Sequence, residues 1–470
     1  MKVDTAIVGA GTAGLSALRE VRRYTDDFVL INHGHWGTTC AATGCMPSKT
    51  LIEAANAFHR RRALATLGIR GGEGLRADIP AVLARVREMR DGFVEGPEAV
   101  PGRLGARAMS GRARLRGPGR LTVDGDEIEA RAIILAPGSR PVVPAPWRDF
   151  GERLLTTDTL FDRQDLPRRI AVIGMGAVGI EMAQALARLG LEVAGFDAVE
   201  AIAGIDDPEV LASLRPLIEA ELALHLGAEA ELRQEDGAIR VTGAGGTFEA
   251  DAVLAAIGRR PNLDDLGLDT LGVPLDDRGM PEVDPETLRI GDLPVFLTGD
   301  ANGIRPLMHE AADEGHVAGR MAAPEEVRER LCRRTPLSIV FCAPQVARVG
   351  PPLSELSGRD IATGSADFSA QARVRIAEST AGVLRIHAER DTGRLLGAEM
   401  AVPAAEHLAH LIALAVERHA TVADMLAMPF YHPVLEEGLR SALRDLAKKV
   451  SGAGGSDLSR CKALGHDALD

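Results

Sequence analysis

Cysteine is scarce in this sequence: 470 residues contain five, namely Cys40, Cys45, Cys332, Cys342 and Cys461. An odd and widely spaced set does not build the disulfide framework of a secreted protein. No second cysteine pair or Cys/His cluster at zinc spacing accompanies Cys40 and Cys45, so metal binding is the weaker interpretation and no metal site is predicted. The other three cysteines are interpreted as isolated thiols. In a reducing compartment, a close pair such as Cys40 and Cys45 is typical of catalysis.

Long apolar runs, a secretory leader and a positive net charge are also missing. The amino-terminus passes from an acid, Asp4, directly into an apolar strand, and no apolar run reaches membrane-spanning length. The formal net charge of −13 argues against non-specific binding to nucleic acid or anionic membranes. With 46% hydrophobic and 26% charged residues, the composition is that of an ordinary globular protein. We therefore expect a cytoplasmic protein without a nucleic-acid or membrane partner.

Glycine, by contrast, is abundant, and six of the 51 glycines form two similar motifs. The first is Gly9-x-Gly11-x-x-Gly14, which follows a short apolar strand and opens a helix, with a second strand at residues 28–31. Such glycines let a pyrophosphate approach the amino-terminus of the helix. The acid that usually closes the second strand is replaced by Asn32, whose amide can still form a weaker hydrogen bond to a ribose hydroxyl.

The second motif is Gly174-x-Gly176-x-x-Gly179, again between a strand and a helix. Here the following strand ends in an acid, Asp197. A carboxylate at this position accepts hydrogen bonds from a free ribose 2′-hydroxyl and repels a 2′-phosphate, which favours NAD over NADP. Two complete strand–helix–strand units in one chain predict an α/β fold with two Rossmann-like dinucleotide-binding domains.

The remaining pattern adds helices and a third domain. Beyond residue 335 the sequence indicates an α+β domain. The predicted helices lie at residues 51–67, 81–93, 404–419 and 434–449, and the predicted strands of the third domain lie at residues 337–342, 371–376 and 383–387.

Two further motifs make the pattern specific. They are Cys-x-x-x-x-Cys-x-Pro-Ser-Lys, from Cys40 to Lys49, and His-Pro-x-x-x-Glu, from His432 to Glu437. Together with the two dinucleotide units, they resemble the pyridine nucleotide-disulfide oxidoreductases over nearly the whole chain. Within that family the sequence is most similar to the dihydrolipoamide dehydrogenases.

The resemblance implies a domain organisation and two cofactors, FAD and NAD. The expected domains are an FAD-binding domain at residues 1–148 and 265–335, an NAD-binding domain at 149–264, an α+β dimerisation domain at 336–450, and a disordered tail at 451–470. The implied FAD-binding residues are Gly9, Gly11, Gly14, Asn32, Thr39, Lys49, Gly138 and Asp300. The implied NAD-binding residues are Gly174, Gly176, Gly179, Asp197 and Gly258.

The resemblance also implies catalytic roles. Cys45 is expected to face the flavin and Cys40 to exchange with the substrate, while Lys49 and Glu181 form an ion pair beside the flavin. His432, oriented by Glu437, is expected to be the acid/base supplied by the other subunit of a homodimer. Residue chemistry supports these roles, because thiol–disulfide exchange needs a thiolate and histidine titrates near neutral pH.

The expected function is oxidation of a dihydrolipoyl dithiol, free or carried by a lipoyl-bearing protein, with hydride transfer from the flavin to NAD⁺. One alternative is an NAD(P)H-dependent reductase of another small disulfide or a metal ion, although His432 and the single Cys461 in the tail do not fit the metal-ion variant. Another is a weakly catalytic subunit that docks lipoyl-bearing proteins. Phe430 stands where a second histidine is usual, which suggests an atypical substrate.

Overall fold

The first dinucleotide unit forms at the amino-terminus, with its strand, helix and second strand in the predicted order. A computed structural model describes residues 1–235, 237–323 and 330–451. The elements of this region, numbered in chain order, are β1 (Lys2–Val8), α1 (Thr12–Val21), β2 (Phe28–Asn32), α2 (Thr39–Ala42), α3 (Cys45–His59), α4 (Ile79–Glu98), α5 (Val100–Leu104), β3 (Ala108–Ser110), β4 (Ala113–Gly117), β5 (Arg120–Val123) and β6 (Asp126–Leu135).

The second unit and the carboxyl-terminal part follow. The middle of the chain contains β7 (Ser139–Pro141), β8 (Leu154–Leu155), α6 (Thr157–Leu160), β9 (Arg169–Ile173), α7 (Ala177–Arg188), β10 (Glu192–Asp197), α8 (Pro208–Glu219), β11 (Ala223–Leu226), β12 (Glu231–Glu235), β13 (Ala238–Gly243), β14 (Gly246–Ala250), β15 (Ala252–Ala255) and β16 (Arg259–Pro261). The rest contains β17 (Val295–Leu297), α9 (Met308–Met321), β18 (Leu337–Val340), β19 (Gln345–Val349), β20 (Ile361–Asp367), α10 (Ala372–Ile376), β21 (Val383–Glu389), β22 (Leu395–Val402), α11 (Ala405–Glu417), α12 (Val422–Leu426) and α13 (Glu436–Ala447).

The first sheet has seven strands in the order β3-β2-β1-β6-β5-β4, with β17 paired to β6. The pairs of β1 with β2 and β6, and of β6 with β17, are parallel. Because the carboxyl ends of parallel strands meet at one edge, Gly9 after β1, Gly138 after β6 and Asp300 after β17 all lie at that edge. This is where ligands bind in open α/β sheets.

The second sheet repeats the design with five strands in the order β11-β10-β9-β15-β8. All of its pairings are parallel. A three-stranded antiparallel sheet, β12-β13-β14, follows along the chain before β15. The chain enters this region through β7 and leaves it through β16, and these two strands pair as a separate antiparallel ribbon. The predicted α/β fold with two dinucleotide units is confirmed.

The third sheet is antiparallel, with five strands in the order β18-β19-β22-β21-β20. Its central strand β22 is buried along its whole length and is apolar except for Glu399, whose carboxylate accepts from the Asp206 and Asp207 N–H groups at 3.0 and 2.6 Å. The helices predicted at residues 404–419 and 434–449 are confirmed as α11 and α13. Within the described ranges, no helix is both long enough and apolar enough to cross a bilayer.

The strand predicted at residues 371–376 is wrong, because residues 372–376 form helix α10. Gln371 caps this helix by accepting a hydrogen bond from the Val374 N–H at 2.9 Å. Only Val374 of the helix is buried, so no alternating buried face exists for a strand. The tail prediction, apart from residue 451, falls outside the described residues.

Candidate active site

The three glycines of the first motif have different surroundings. Gly9 has a φ of +105°, and a Cβ there would lie 2.1 Å from the carbonyl oxygen of Ala136. A Cβ on Gly14 would lie 1.8 Å from the carbonyl oxygen of Gly9, so glycine is required for helix α1 to pack on the turn. A Cβ on Gly11 would meet nothing within 4 Å. Gly11 therefore borders open space, as expected where a pyrophosphate approaches the helix.

A cleft extends from this turn to the cysteine pair. It is lined by several of the residues predicted to bind FAD or to act in catalysis, namely Gly11, Thr39, Cys40, Cys45, Lys49, Gly138, Glu181 and Asp300. Asp300 is half-buried, and its Oδ2 accepts a hydrogen bond from Ser139. Its Oδ1 has no hydrogen-bond partner among the described residues, so one carboxylate oxygen is available to a polyol hydroxyl. The donor set of the cleft therefore fits FAD.

Asn32 has a different immediate role from a ribose ligand. Its side chain is buried, its Oδ1 accepts from the Ala10 N–H at 3.0 Å, and its Nδ2 donates to the His35 carbonyl at 2.8 Å. Asp197 does the same in the second unit, where Oδ2 accepts from the Met175 N–H at 2.6 Å. Both side chains therefore fix their glycine turns, and ribose binding by Asn32 stays a prediction.

The second dinucleotide motif opens onto a second cleft. Gly174 and Gly179 would clash with neighbouring backbone if they carried a Cβ, whereas Gly176 would meet nothing within 4 Å. Gly176, Asp197 and Gly258 line this cleft, which has a volume of about 570 Å³. The pattern of two packed glycines and one open glycine matches the first unit. The second cleft is therefore suited to another dinucleotide.

The two clefts meet at one residue. Val178, in the first turn of α7, lines both of them, and its side chain is exposed. The second cleft is therefore adjacent to the first cleft, which also contains Cys45 and Lys49. This contact between clefts is what electron transfer between two dinucleotides requires.

Cys40 and Cys45 lie on two adjacent short segments. Cys45 is the first residue of α3. The N-cap residue of this helix is Gly44, which provides no side-chain hydrogen bond to the first turn. Cys40 lies within the four-residue helix α2. Both are free, half-buried thiols in hydrogen-bonding contact. The helix dipole therefore favours a thiolate at Cys45 more than at Cys40.

The two thiols of the pair have opposite pKa shifts. The hydrogen bond from Cys40 and the charge of Lys49 outweigh burial and lower the pKa of the Cys45 thiol from its ordinary 9.0 to about 6. The same hydrogen bond raises the pKa of Cys40, because its proton is held by the Cys45 sulfur. At neutral pH the reduced pair therefore carries a thiolate at Cys45 and a thiol at Cys40.

We expect alkylation of Cys45 in the reduced protein to rise through a midpoint near pH 6, because only the thiolate reacts. Cys40→Ala removes the hydrogen-bond donor and should shift this midpoint toward 9.0, the ordinary thiol value. Cys40→Ser retains an O–H donor and should shift it less. Peptide mass spectrometry after timed iodoacetamide labelling measures both midpoints. A wild-type midpoint at pH 8 or above would contradict the assignment.

Lys49 and Glu181 form a close ion pair across the two dinucleotide units. Lys49 Nζ lies 2.8 and 3.0 Å from the two carboxylate oxygens of Glu181, which is almost fully buried in α7. The Phe341 N–H also donates to Glu181 at 2.9 Å, and the Phe341 ring centroid lies 4.7 Å from Lys49 Nζ. Three separate parts of the chain therefore fix one cation beside the cysteine pair.

His432 and Glu437 are also brought together. His432 Nδ1 lies 3.0 and 3.1 Å from the two carboxylate oxygens, and this hydrogen bond holds the pKa of Glu437 below its ordinary value. An ionised carboxylate can only accept, so the imidazole proton resides on Nδ1 and Nε2 keeps a free lone pair. Nε2 can therefore act as a base.

His432 does not meet the cysteine pair within its own subunit. Its side chain is 74% exposed, and no contact with Cys40 or Cys45 exists among the described residues. The side chain of its neighbour Tyr431 is 81% exposed as well. An exposed, oriented base next to an exposed aromatic ring indicates a surface that another molecule covers.

The residues at the site that were not predicted from sequence include Ser139, Arg259 and Phe341. Ser139 and Arg259 directly follow the predicted glycines Gly138 and Gly258, and this adjacency was the available signal. No sequence signal indicated Phe341, because the group that binds Glu181 is its backbone N–H. A backbone donor can be provided by almost any residue type.

Family comparisons agree with this arrangement. Residues 3–315 match the family model described as pyridine nucleotide-disulphide oxidoreductase. Residues 337–443 match the dimerisation domain of the same family, which supports a homodimer.

Similar proteins span nearly the same length. A dihydrolipoyl dehydrogenase from Thermus scotoductus is 32% identical over 464 residues, covering 95% of this chain and 98% of the relative. One from Halobacterium salinarum is 30% identical over 461 residues, covering 93% and 95%.

Solved structures extend the comparison. LpdA from Mycobacterium tuberculosis superimposes with a TM-score of 0.80 at 27% identity, covering 94% of this chain and 99% of that one. A Cu(II) complex of the HOCl-induced flavoprotein disulfide reductase RclA from Escherichia coli gives 0.81 at 22% identity, covering 94% and 99%, and shares the fold. The chain therefore belongs to the pyridine nucleotide-disulphide oxidoreductase family, as a flavin-dependent disulfide oxidoreductase of the dihydrolipoyl dehydrogenase type that uses FAD and NAD.

Proposed function

We propose that this enzyme oxidises a dihydrolipoyl dithiol through Cys40 and Cys45 and passes the electrons to NAD⁺. The observation that carries the proposal is the cysteine pair in the first cleft, which adjoins the second cleft at Val178, with its thiolate at Cys45 beside Lys49. Relatives named dihydrolipoyl dehydrogenase, at about 30% identity over almost the full chain, support this substrate class.

The cysteine pair provides the exchange chemistry. In the oxidised enzyme, a substrate thiolate attacks the Cys40 sulfur, which breaks the Cys40–Cys45 bond and releases the Cys45 thiolate. The second substrate sulfur then attacks the first, which closes the substrate disulfide and releases Cys40. The substrate loses two electrons and the enzyme disulfide gains them. Bound FAD would accept this electron pair from the dithiol form and supply it as a hydride to NAD⁺.

His432 supplies proton transfer at the substrate. Its Nε2 takes the proton of the incoming dithiol, because the attacking group must be a thiolate. Glu437 fixes the tautomer and stabilises the protonated ring. Since His432 is exposed in its own subunit, we infer that it serves the cysteine pair of the partner in the homodimer.

We further assign residues 1–148 and 265–335 to FAD binding, residues 149–264 to NAD binding and residues 336–450 to dimerisation. Strand β17 supports the split FAD assignment, because it returns to the first sheet after the second unit and pairs with β6. Asp197 is the proposed NAD-selective residue. Its Oδ1 accepts from the Val199 N–H at 3.1 Å and its Oδ2 from Met175, and both oxygens keep a lone pair for a ribose hydroxyl.

The purified protein should be yellow and should form NADH from dihydrolipoamide, with little reaction when NADP⁺ replaces NAD⁺. Asp197→Arg should shift the kcat/KM ratio toward NADP⁺, because it replaces a repulsive carboxylate by a phosphate-binding cation. Absorbance of the reduced nicotinamide measures both. Asp197→Asn is the matched control, since it removes the charge but retains the turn contact to Met175.

Other outcomes would redirect the assignment. Turnover of another small disulfide with NADH, faster than turnover of dihydrolipoamide, would favour a reductase. Failure of NAD⁺ to reoxidise the dithionite-reduced protein would favour a lipoyl-docking subunit with weak catalysis. A colourless protein that does not bind added FAD would overturn the proposal.

A further inference from the structure

The ribbon of β7 and β16 is the covalent link between the two dinucleotide units. Its strands are antiparallel, with Arg259 opposite Pro141 and Pro261 opposite Ser139. The chain passes from the first sheet to the second through β7 and returns through β16. Any ligand-dependent change in the ribbon therefore changes how the second unit is held against the first.

One hydroxyl connects this ribbon to the carboxylate of Asp300, which is predicted to bind FAD. The Ser139 hydroxyl donates to Asp300 Oδ2 at 2.6 Å and accepts from Arg259 Nε at 2.9 Å. Arg259 Nη2 also donates to the Ser139 carbonyl at 2.7 Å. Ser139 therefore joins both strands of the ribbon to the turn that follows β17.

The backbone of that turn is held by a different group. Glu314 is buried, accepts from the Gly299 N–H at 2.7 Å and is paired with Arg333 at 2.7 Å. The main chain beside Asp300 is thus fixed without Ser139. The Ser139 hydrogen bond acts on the carboxylate itself, and it occupies Oδ2 while Oδ1 remains available to the cleft.

We propose that Ser139 is a positioning residue that directs Asp300 Oδ1 toward bound FAD and, through Arg259, couples FAD occupancy to the interdomain ribbon. The inference rests on the proposed function, in which Asp300 binds a hydroxyl of FAD. Binding of FAD in the first cleft then orders the ribbon and fixes the position of the second unit relative to the first. Electron transfer between dinucleotides in two clefts that adjoin at Val178 requires a fixed relative position.

Reconstitution of the FAD-stripped protein tests the first part. Ser139→Ala should raise the dissociation constant of FAD about 10-fold, since a hydrogen bond to a carboxylate is lost. Ser139→Thr keeps the hydroxyl and should remain close to wild type. Flavin fluorescence titration measures all three affinities. Thr242→Ala, which removes an exposed hydroxyl from β13, is the matched control and should not change the affinity.

Hydrogen exchange tests the coupling. The Val142 and Asn262 amides close the ribbon by donating at 2.9 Å to the Gly258 and Gly138 carbonyls. In the wild type, FAD should slow their exchange. In Ser139→Ala and in Arg259→Gln, each at saturating FAD, this added protection should be lost.

The outcomes separate the inference from the proposed function. A wild-type protein that binds no FAD would overturn the proposed function. Wild-type affinity and ribbon protection in Ser139→Ala, with FAD bound, would overturn only the positioning role. A Ser139→Thr variant as weak as Ser139→Ala would also overturn it, because packing rather than the hydroxyl would then matter.

Discussion

Cys40→Ser and Cys45→Ser should each abolish NADH formation from dihydrolipoamide, with a loss of about 10⁴-fold or more. The exchange reaction needs both sulfurs, since one forms the mixed disulfide with substrate and the other is the leaving thiolate. A serine hydroxyl can do neither at neutral pH. Steady-state turnover with dihydrolipoamide and NAD⁺ measures the loss.

Two controls separate chemistry from folding. Both variants should keep bound FAD and its visible spectrum, because the glycine turn and Asp300 are unchanged. Cys332→Ser, which replaces an exposed free thiol, should retain wild-type turnover. A Cys45→Ser enzyme with more than about a tenth of wild-type turnover would show that the pair is not the redox centre.

His432→Gln should lower turnover by about 10²- to 10⁴-fold, the usual contribution of a general acid or base. Glutamine keeps a polar side chain of similar reach but cannot take a proton. Glu437→Gln should cause a smaller loss, because the imidazole remains but loses the ionised partner that fixes its tautomer. Turnover with dihydrolipoamide measures both, and His407→Gln, at an exposed histidine on α11, is the control.

Mixed dimers test where this base acts. If each site combines the cysteines of one subunit with His432 of its partner, a heterodimer of Cys45→Ser and His432→Gln contains one intact site and one doubly altered site. Random pairing of equal amounts should then restore about a quarter of wild-type turnover. No recovery in isolated heterodimers would show that His432 serves its own subunit.

Much of the fold follows from local sequence. The two glycine motifs predict two dinucleotide units, because Gly9 and Gly174 occupy left-handed backbone positions and Gly14 and Gly179 allow no side chain against the turn. These are short-range steric requirements, so they are visible in a few consecutive residues. The prediction failed at residues 371–376, where a side-chain cap on a single helical turn outweighs the strand propensity of valine and isoleucine.

The sequence by itself also determined the chemistry available to the enzyme: a cysteine pair, a His–Glu motif and one acid at the end of a second-unit strand. Those residue types and spacings favour thiol and hydride chemistry, because they supply a redox-active sulfur pair, a base and a site for a nicotinamide cofactor. Which groups act on one another was decided by the tertiary structure. Glu181 accepts from both Lys49 and the Phe341 N–H, and Ser139 meets Asp300 and Arg259, across separations of more than a hundred residues. Such contacts depend on how sheets and helices pack, and a thiol takes its pKa from its neighbours in space rather than in sequence.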